Sequence, residues 1–194
     1  MSTLETNLIQ PATGTALQVG ASGDTITIPS GATLTNSGTL TNSGTATGFN
    51  NPSFFGKLAG GTTIAVATAT KITAMTSAEI DTNTAFDGTT FTVPAGEGGN
   101  YIIFGQISFD FSSVGSDGNR VDCLIYKNGS ELFNTRSIFS SGVLTDTALP
   151  ASIMTTLAAT DTIELYGYTT QASGTGAVTI TAGYTYFGGY KIGT

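Results

Sequence analysis

The sequence predicts an all-β protein, and three observations carry that prediction. Threonine, glycine and serine dominate while charged residues make up only 10% of the 194 positions, so good helix formers are scarce. No stretch sustains apolar side chains at helical spacing, whereas apolar/polar alternation recurs roughly every ten residues. From residue 58 onward Ile, Val, Phe and Tyr are too frequent for a disordered chain. The expectation is a sandwich or a barrel preceded by a different kind of N-terminal segment.

Residues 1–24 are polar, with Leu4, Leu8, Ile9, Leu17 and Val19 as their large apolar side chains. Such an arm cannot bury a core alone and is expected to lie against a partner. Residues 25–48 carry a repeat: the hexad Thr33–Gly38, TLTNSG, is followed by an identical copy over Thr39–Gly44. Ile28, Leu34, Leu40 and Ala46 fall at a strict spacing of six. Each unit reads as a short β segment with one apolar side chain, closed by an Asn-Ser-Gly turn suited to positive φ. One such side chain per unit is too little to hide in a monomer, so a shaft of three chains around a common apolar axis is predicted. Residues 49–61, with Asn50, Asn51, Pro52, Gly56, Gly60 and Gly61, read as a hinge. Phe49, Phe54 and Phe55 are expected to plug the base of the domain or a subunit seam.

Strands are expected at 62–74, 84–93, 100–112, 119–127, 130–139, 146–156, 161–171 and 176–192. The central one is 100–112, which puts Tyr101, Ile103, Gly105, Ile107 and Phe109 on one apolar face. The Asn-Gly of Lys127–Ser130 is the strongest turn signal and predicts a tight hairpin.

Four ordered blocks within residues 62–192 then resemble the C1q-like members of the C1q/tumour-necrosis-factor superfamily. They are Phe91–Gly96 followed by Asn100–Phe104, Asp122–Gly129 ending in Lys-Asn-Gly, Leu157–Asp161 with Ile163, Leu165 and Tyr166, and Tyr186–Tyr190 with Ile192. The resemblance implies a jelly-roll head over 62–194 that assembles as a tight homotrimer and often binds a ligand. Tyr101, Ile103, Ile107, Phe109, Tyr184 and Tyr186 would be its core and protomer contacts. There are two departures. Thr160 stands where that group has glycine, so the turn before Asp161 is expected to differ, and the hexad shaft replaces a collagen-like stalk. The leader, in Asn7–Gly14, Gly23–Thr33 and Thr45–Phe49, resembles leaders of virion structural proteins of tailed phages.

Composition excludes several chemistries. Histidine is absent, which removes Ser-His-Asp, Cys-His and His-ligated zinc sites. The single cysteine, Cys123, alternates with Val121 and Ile125 and reads as a small buried side chain. The carboxylates are spread over separate strands and loops, and no spacing selects an acid–base pair. The net charge is −7 and the six basic residues are scattered in sequence, which argues against nucleic acid. Met1–Gln10 lacks a signal peptide's basic start and apolar core, and no segment approaches a membrane span. Asp117 and Asp122 are the candidates for an oxygen-ligand calcium site, the sole cofactor considered. Tyr166 and Tyr168 are candidates for ligand contact through ring stacking, although period-two spacing reads both pairs, Tyr166/Tyr168 and Tyr184/Tyr186, as core or trimer axis.

The expected protein is therefore non-enzymatic, a short homotrimeric fibre on a tailed-phage particle. Its arm would dock on other virion proteins and its head would meet a host-surface glycan or protein. A capsid decoration protein and a secreted C1q-like lectin are the alternatives.

Overall fold

The computed structural model describes residues 17, 19–39, 41, 51–75, 79–112, 118–139, 146–171 and 176–193. The chain divides into two units, Met1–Ala46 and Thr47–Thr194.

In the first unit no strand occurs among the described residues. Turns close where Gly, Ser and Asn allow them. The Asp24 amide donates to the Ala21 carbonyl at 3.1 Å, the Ala32 amide to the Pro29 carbonyl at 3.0 Å, and the Gly38 amide to the Asn36 side chain at 3.2 Å. Between the turns Ile28 and Leu34, two of the four predicted shaft residues, are 47% and 71% exposed. Leu40 and Ala46 lie outside the described residues, as does Phe49. Among the described residues of this unit no β ladder forms, and Ile26, Ile28 and Leu34 stay largely exposed.

The second unit is a two-sheet sandwich of antiparallel strands. The described residues form β1 (Ser53–Lys57), β2 (Thr62–Ile64), β3 (Thr70–Lys71), β4 (Ile80–Asp81), β5 (Thr90–Thr92), β6 (Gly99–Asp110), β7 (Gly118–Lys127), β8 (Ser130–Ile138), β9 (Asp146–Leu157), β10 (Thr162–Gln171), β11 (Val178–Ile180) and β12 (Tyr186–Gly193). The first sheet runs β2-β11-β6-β12-β1-β4, with β9 on the free side of β6; the second runs β3-β10-β7-β8, with β5 also on β10. β6 is the central strand, as expected: β9 pairs with its whole length, while β12 and β11 share its other side.

Four of the expected boundaries differ in the structure. The hinge at 49–61 contains β1, which pairs with β12 from Ser53↔Tyr190 to Lys57↔Tyr186. Its burial alternates as a strand's should, and Phe54 enters the core while Phe55 faces out. The expected strand 62–74 is two short strands parted by a turn in which Ala67 takes a positive φ of 58°. The expected strand 176–192 is likewise broken by a turn at 182–184, and 84–93 narrows to β5.

The core lies between the sheets. Tyr101, Ile103, Ile107 and Phe109 of β6 are fully buried, as are Val121, Cys123 and Ile125 of β7 and Ile163 and Leu165 of β10. Phe54 stacks on Phe91 at 4.3 Å, joining β1 of one sheet to β5 of the other. Tyr101 donates its hydroxyl to the Glu97 carbonyl at 2.7 Å. Burial, with the nearby Glu97 charge, pushes its phenol up to about 12. The hairpin at Asn128-Gly129 has φ of 51° and 76°, the paired left-handed conformation that Asn-Gly favours.

Candidate functional site

Because side chains alternate along a strand, each sheet has an outer face, and both outer faces carry more aromatic surface than solvation requires. On the first sheet the register builds three rows across neighbouring strands. Ile80, Phe55, Gly188, Phe104 and Ser152 form one row, Ser53, Tyr190, Ile102 and Met154 a second, and Lys57, Tyr186, Gln106 and Pro150 a third. Phe55, Phe104 and Tyr186 meet as a triplet, with centroids 6.3, 5.8 and 6.5 Å apart. Around them Ile80, Met154, Tyr190 and Ile192 are 50%, 67%, 43% and 42% exposed. The glycine pair of β12 makes this packing possible. A Cβ on Gly188 would sit 2.7 Å from Cζ of Phe104, whose ring lies across it on the outer side. A Cβ on Gly189 would sit 2.6 Å from Cδ1 of Ile103 on the inner side. Phe104 on the outer side, and Phe54 with Ile103 on the inner side, are seated over a strand with no side chains at its middle.

This outer face is open, whereas the inner one is closed off within the single chain. Tyr101, Ile103, Ile107 and Phe109 have no exposure. They are core residues of the chain and are not available to a second copy. Tyr186 belongs to the outer triplet. Tyr184 stands in the turn before β12 and is 67% exposed, so it is neither core nor sheet.

The outer face of the second sheet is polar and aromatic. Tyr166 and Tyr168 point outward, because Ile163, Leu165, Gly167 and Thr169 take the inner positions of β10. The reading of these tyrosines as core is thus corrected. Tyr126 stacks on Tyr166 at 4.0 Å. The guanidinium of Arg120 lies 4.5 Å from the Tyr168 ring. Asp122, between Tyr168 and Arg136 in register, is fully buried although it lies on the outer side. Arg120 and Arg136 cover it, each donating from Nε and Nη2 to its two carboxylate oxygens. Burial opposes its charge, but the hydrogen bonds from both arginines outweigh it and hold the carboxyl below its ordinary value. Its oxygens are therefore committed to guanidinium, which removes Asp122 as a calcium ligand; Asp117 lies outside the described residues.

The remaining acidic groups secure turns and strands. Asp161 accepts from Lys127, from Asn128 at 2.7 Å and from the Ala158 amide at 2.7 Å, and these contacts hold its carboxyl down at about 2. Glu164 pairs with Lys71 at 2.7 Å and Glu97 with the buried Lys191 at 2.9 Å. Among the described residues no three His, Cys, Asp or Glu side chains gather to hold a metal ion. A hollow of about 430 Å³ beside β5, lined by Asn83, Phe86, Asp87, Thr90 and Pro94 among others, contains one titratable group, Asp87. Its Oδ1 is already engaged by the Thr89 and Thr90 amides. Burial pushes the Cys123 thiol up to about 12, which leaves it protonated and inert.

Solved structures place this architecture. The globular domain of zebrafish complement 1qA protein aligns with TM-score 0.49 and 15% identity, over 73% of this chain and 97% of that one. Eiger TNF from S. frugiperda aligns at 0.52 and 11%, over 73% and 91%. Murine APRIL aligns at 0.51 and 11%, over 73% and 99%. The head has the jelly-roll fold seen in Eiger TNF and APRIL. At such identities the likeness establishes fold alone, and it rests on the second and third of these structures. No family model matches the chain, and no curated protein matches it. Thr160 adopts φ of 72°, a left-handed conformation that glycine takes without strain.

Proposed function

We propose that this chain is a structural protein of a tailed-phage particle, a homotrimeric short fibre whose arm docks on the virion and whose jelly-roll head meets the host surface. The observation that carries self-association is the outer face of the first sheet. Phe55, Phe104 and Tyr186, ringed by exposed Ile80, Met154, Tyr190 and Ile192, make a contiguous apolar patch of the kind that marks an interface. The same need arises separately in the first unit, where Ile26, Ile28 and Leu34 are 60%, 47% and 71% exposed. A second and third copy of the chain supply matching surface to both. The jelly-roll fold supports a binding head rather than an enzyme, and the hexad repeat with its leader supports the virion setting. Three heads on one shaft raise effective affinity for a repeated surface ligand without strong single contacts.

Light scattering on the full chain tests the assembly. A mass of three chains is expected, with Phe55→Glu and Met154→Lys together releasing folded monomers. A monomer at micromolar concentration would overturn the reading. Antibody against residues 53–193, imaged on particles, tests the setting: label at the tips of short fibres is expected. Label spread over the capsid faces would instead make the chain a decoration protein.

A further inference from the structure

The outer face of the second sheet collects what the sequence scatters. Lys71, Arg120 and Arg136, half of the six basic residues, come to one face across β3, β7 and β8. Each carboxylate there is already engaged: Asp122 by both arginines, Glu164 by Lys71, and Glu131 by Asn134. The arginines are not used up in return. Each spends Nε and Nη2 on Asp122, and among the described residues Nη1 of neither has a hydrogen-bond partner. Their side chains are 27% and 42% exposed, while Asp122 beneath them is not exposed at all. A fully buried carboxylate between two outward-facing guanidiniums fixes both planes in advance. Stacking on Tyr168 fixes Arg120 further. Guanidinium N–H groups held in place and left free are donors of the kind that bind a planar or tetrahedral oxyanion. The stacked Tyr126/Tyr166 pair stands one outward position along β10 from Tyr168, roughly 7 Å away.

We propose that this face, centred on Arg120, Arg136, Tyr166 and Tyr168, is a subsite for an acidic saccharide. The Nη1 groups take the sugar's carboxylate or phosphate, and the tyrosines pack against its ring. The inference rests on the reading of the head as a surface-contacting module and names the chemistry it contacts. It also restricts the ligand. The chain carries −7 overall, so an extended polyanion is repelled at long range, whereas an isolated acid group on an otherwise neutral glycan is not.

Calorimetry with methyl glucuronide, glucose 6-phosphate, cellotriose and a tetraglutamate peptide at about 0.15 M salt tests it. At least one acidic sugar binds, and which one separates carboxylate from phosphate recognition. Cellotriose does not bind. Arg136→Gln weakens the acidic sugar roughly tenfold or more, and Tyr166→Ser weakens it as well. Arg136→Gln leaves Arg120 on Asp122, and a single cooperative melting transition, lowered or not, confirms that the variant folds. Absence of binding by both acidic sugars, equal binding of cellotriose or tetraglutamate, or indifference to Arg136→Gln would each overturn the assignment. Light scattering on the same samples keeps the two readings apart: a trimer that ignores acidic sugars refutes this subsite alone, whereas a monomer refutes the assembly.

Discussion

Replacing Gly188 with alanine adds a single methyl group at the middle of β12. The Cβ would lie 2.7 and 2.9 Å from Cζ and Cε2 of Phe104, and 3.0 Å from the carbonyl oxygen of Phe54. The carbonyl belongs to the β1 ladder and cannot retreat, so the Phe104 ring must lift. Lifting it loosens two ring contacts, with Phe55 at 6.3 Å and Tyr186 at 6.5 Å. Aromatic pairs contribute about 0.5–1.5 kcal/mol each, and overpacking typically costs about 1–3 kcal/mol. Alanine recovers about 0.5–1 kcal/mol through the smaller backbone entropy of the unfolded chain. The net expectation is a loss of about 1–2 kcal/mol, or roughly 3–8 °C in Tm for a domain of this size. Denaturant titration at one fixed protein concentration reads this without the concentration dependence of an oligomer. The decisive measurement is a double-mutant cycle. With Phe104→Ala already in place the ring is gone, and Gly188→Ala should be neutral or slightly stabilising. Gly193→Ala, with no atom within 4 Å of its Cβ, is the control. Equal losses from Gly188→Ala in both backgrounds would refute the account of the glycine pair.

Thr160→Gly should stabilise the head by about 0.5–1 kcal/mol, because relief of a left-handed, β-branched residue exceeds glycine's added chain entropy; a lower denaturation midpoint would contradict this. Acid should destabilise the head through Asp161, whose folded value of about 2 lies below the ordinary 3.8. Its contribution is complete above the unfolded value and is lost as pH falls through about 2. Asp161→Asn should therefore flatten the slope of stability between about pH 5 and pH 2, and an unaltered slope would exclude that carboxylate as the cause. Cys123, fully buried with its thiol pushed up to about 12, should resist aromatic disulfide reagents in the native state and react only on unfolding. Rapid labelling of folded protein would show that β7 opens locally.

The parts of the fold that were legible are those written in short-range pattern. β6 and β10 alternate over most of their length, and Asn128-Gly129 closes its hairpin as two residues with positive φ. β1 was not legible, since SFFGK sits among Pro, Asn and Gly and runs for only five residues. It becomes a strand because β12 and β4 supply ladders on both sides, a cause that lies more than a hundred residues away for β12. The candidate sites were legible as residue types and not as faces. Tyr166 and Tyr168 drew attention as aromatics at period two, but period two does not say which set points inward. That choice was made by Leu165 and Gly167, which meet the core of the opposing sheet. Arg120 and Arg136 gave no signal at all, because they become neighbours only through the β7–β8 register.

By itself, then, the sequence determined an all-β head, its central strand, its tightest turn, a hexad repeat and the absence of histidine chemistry. These depend on alternation, on local φ preferences and on which residue types are present. Only the tertiary structure decided that β6 turns its apolar face inward and leaves Phe104 outside. It also decided that Gly188 and Gly189 admit rings on both sides, and that two arginines share one buried carboxylate. Each of these is a contact between segments far apart in the chain, settled by which face of a sheet meets another.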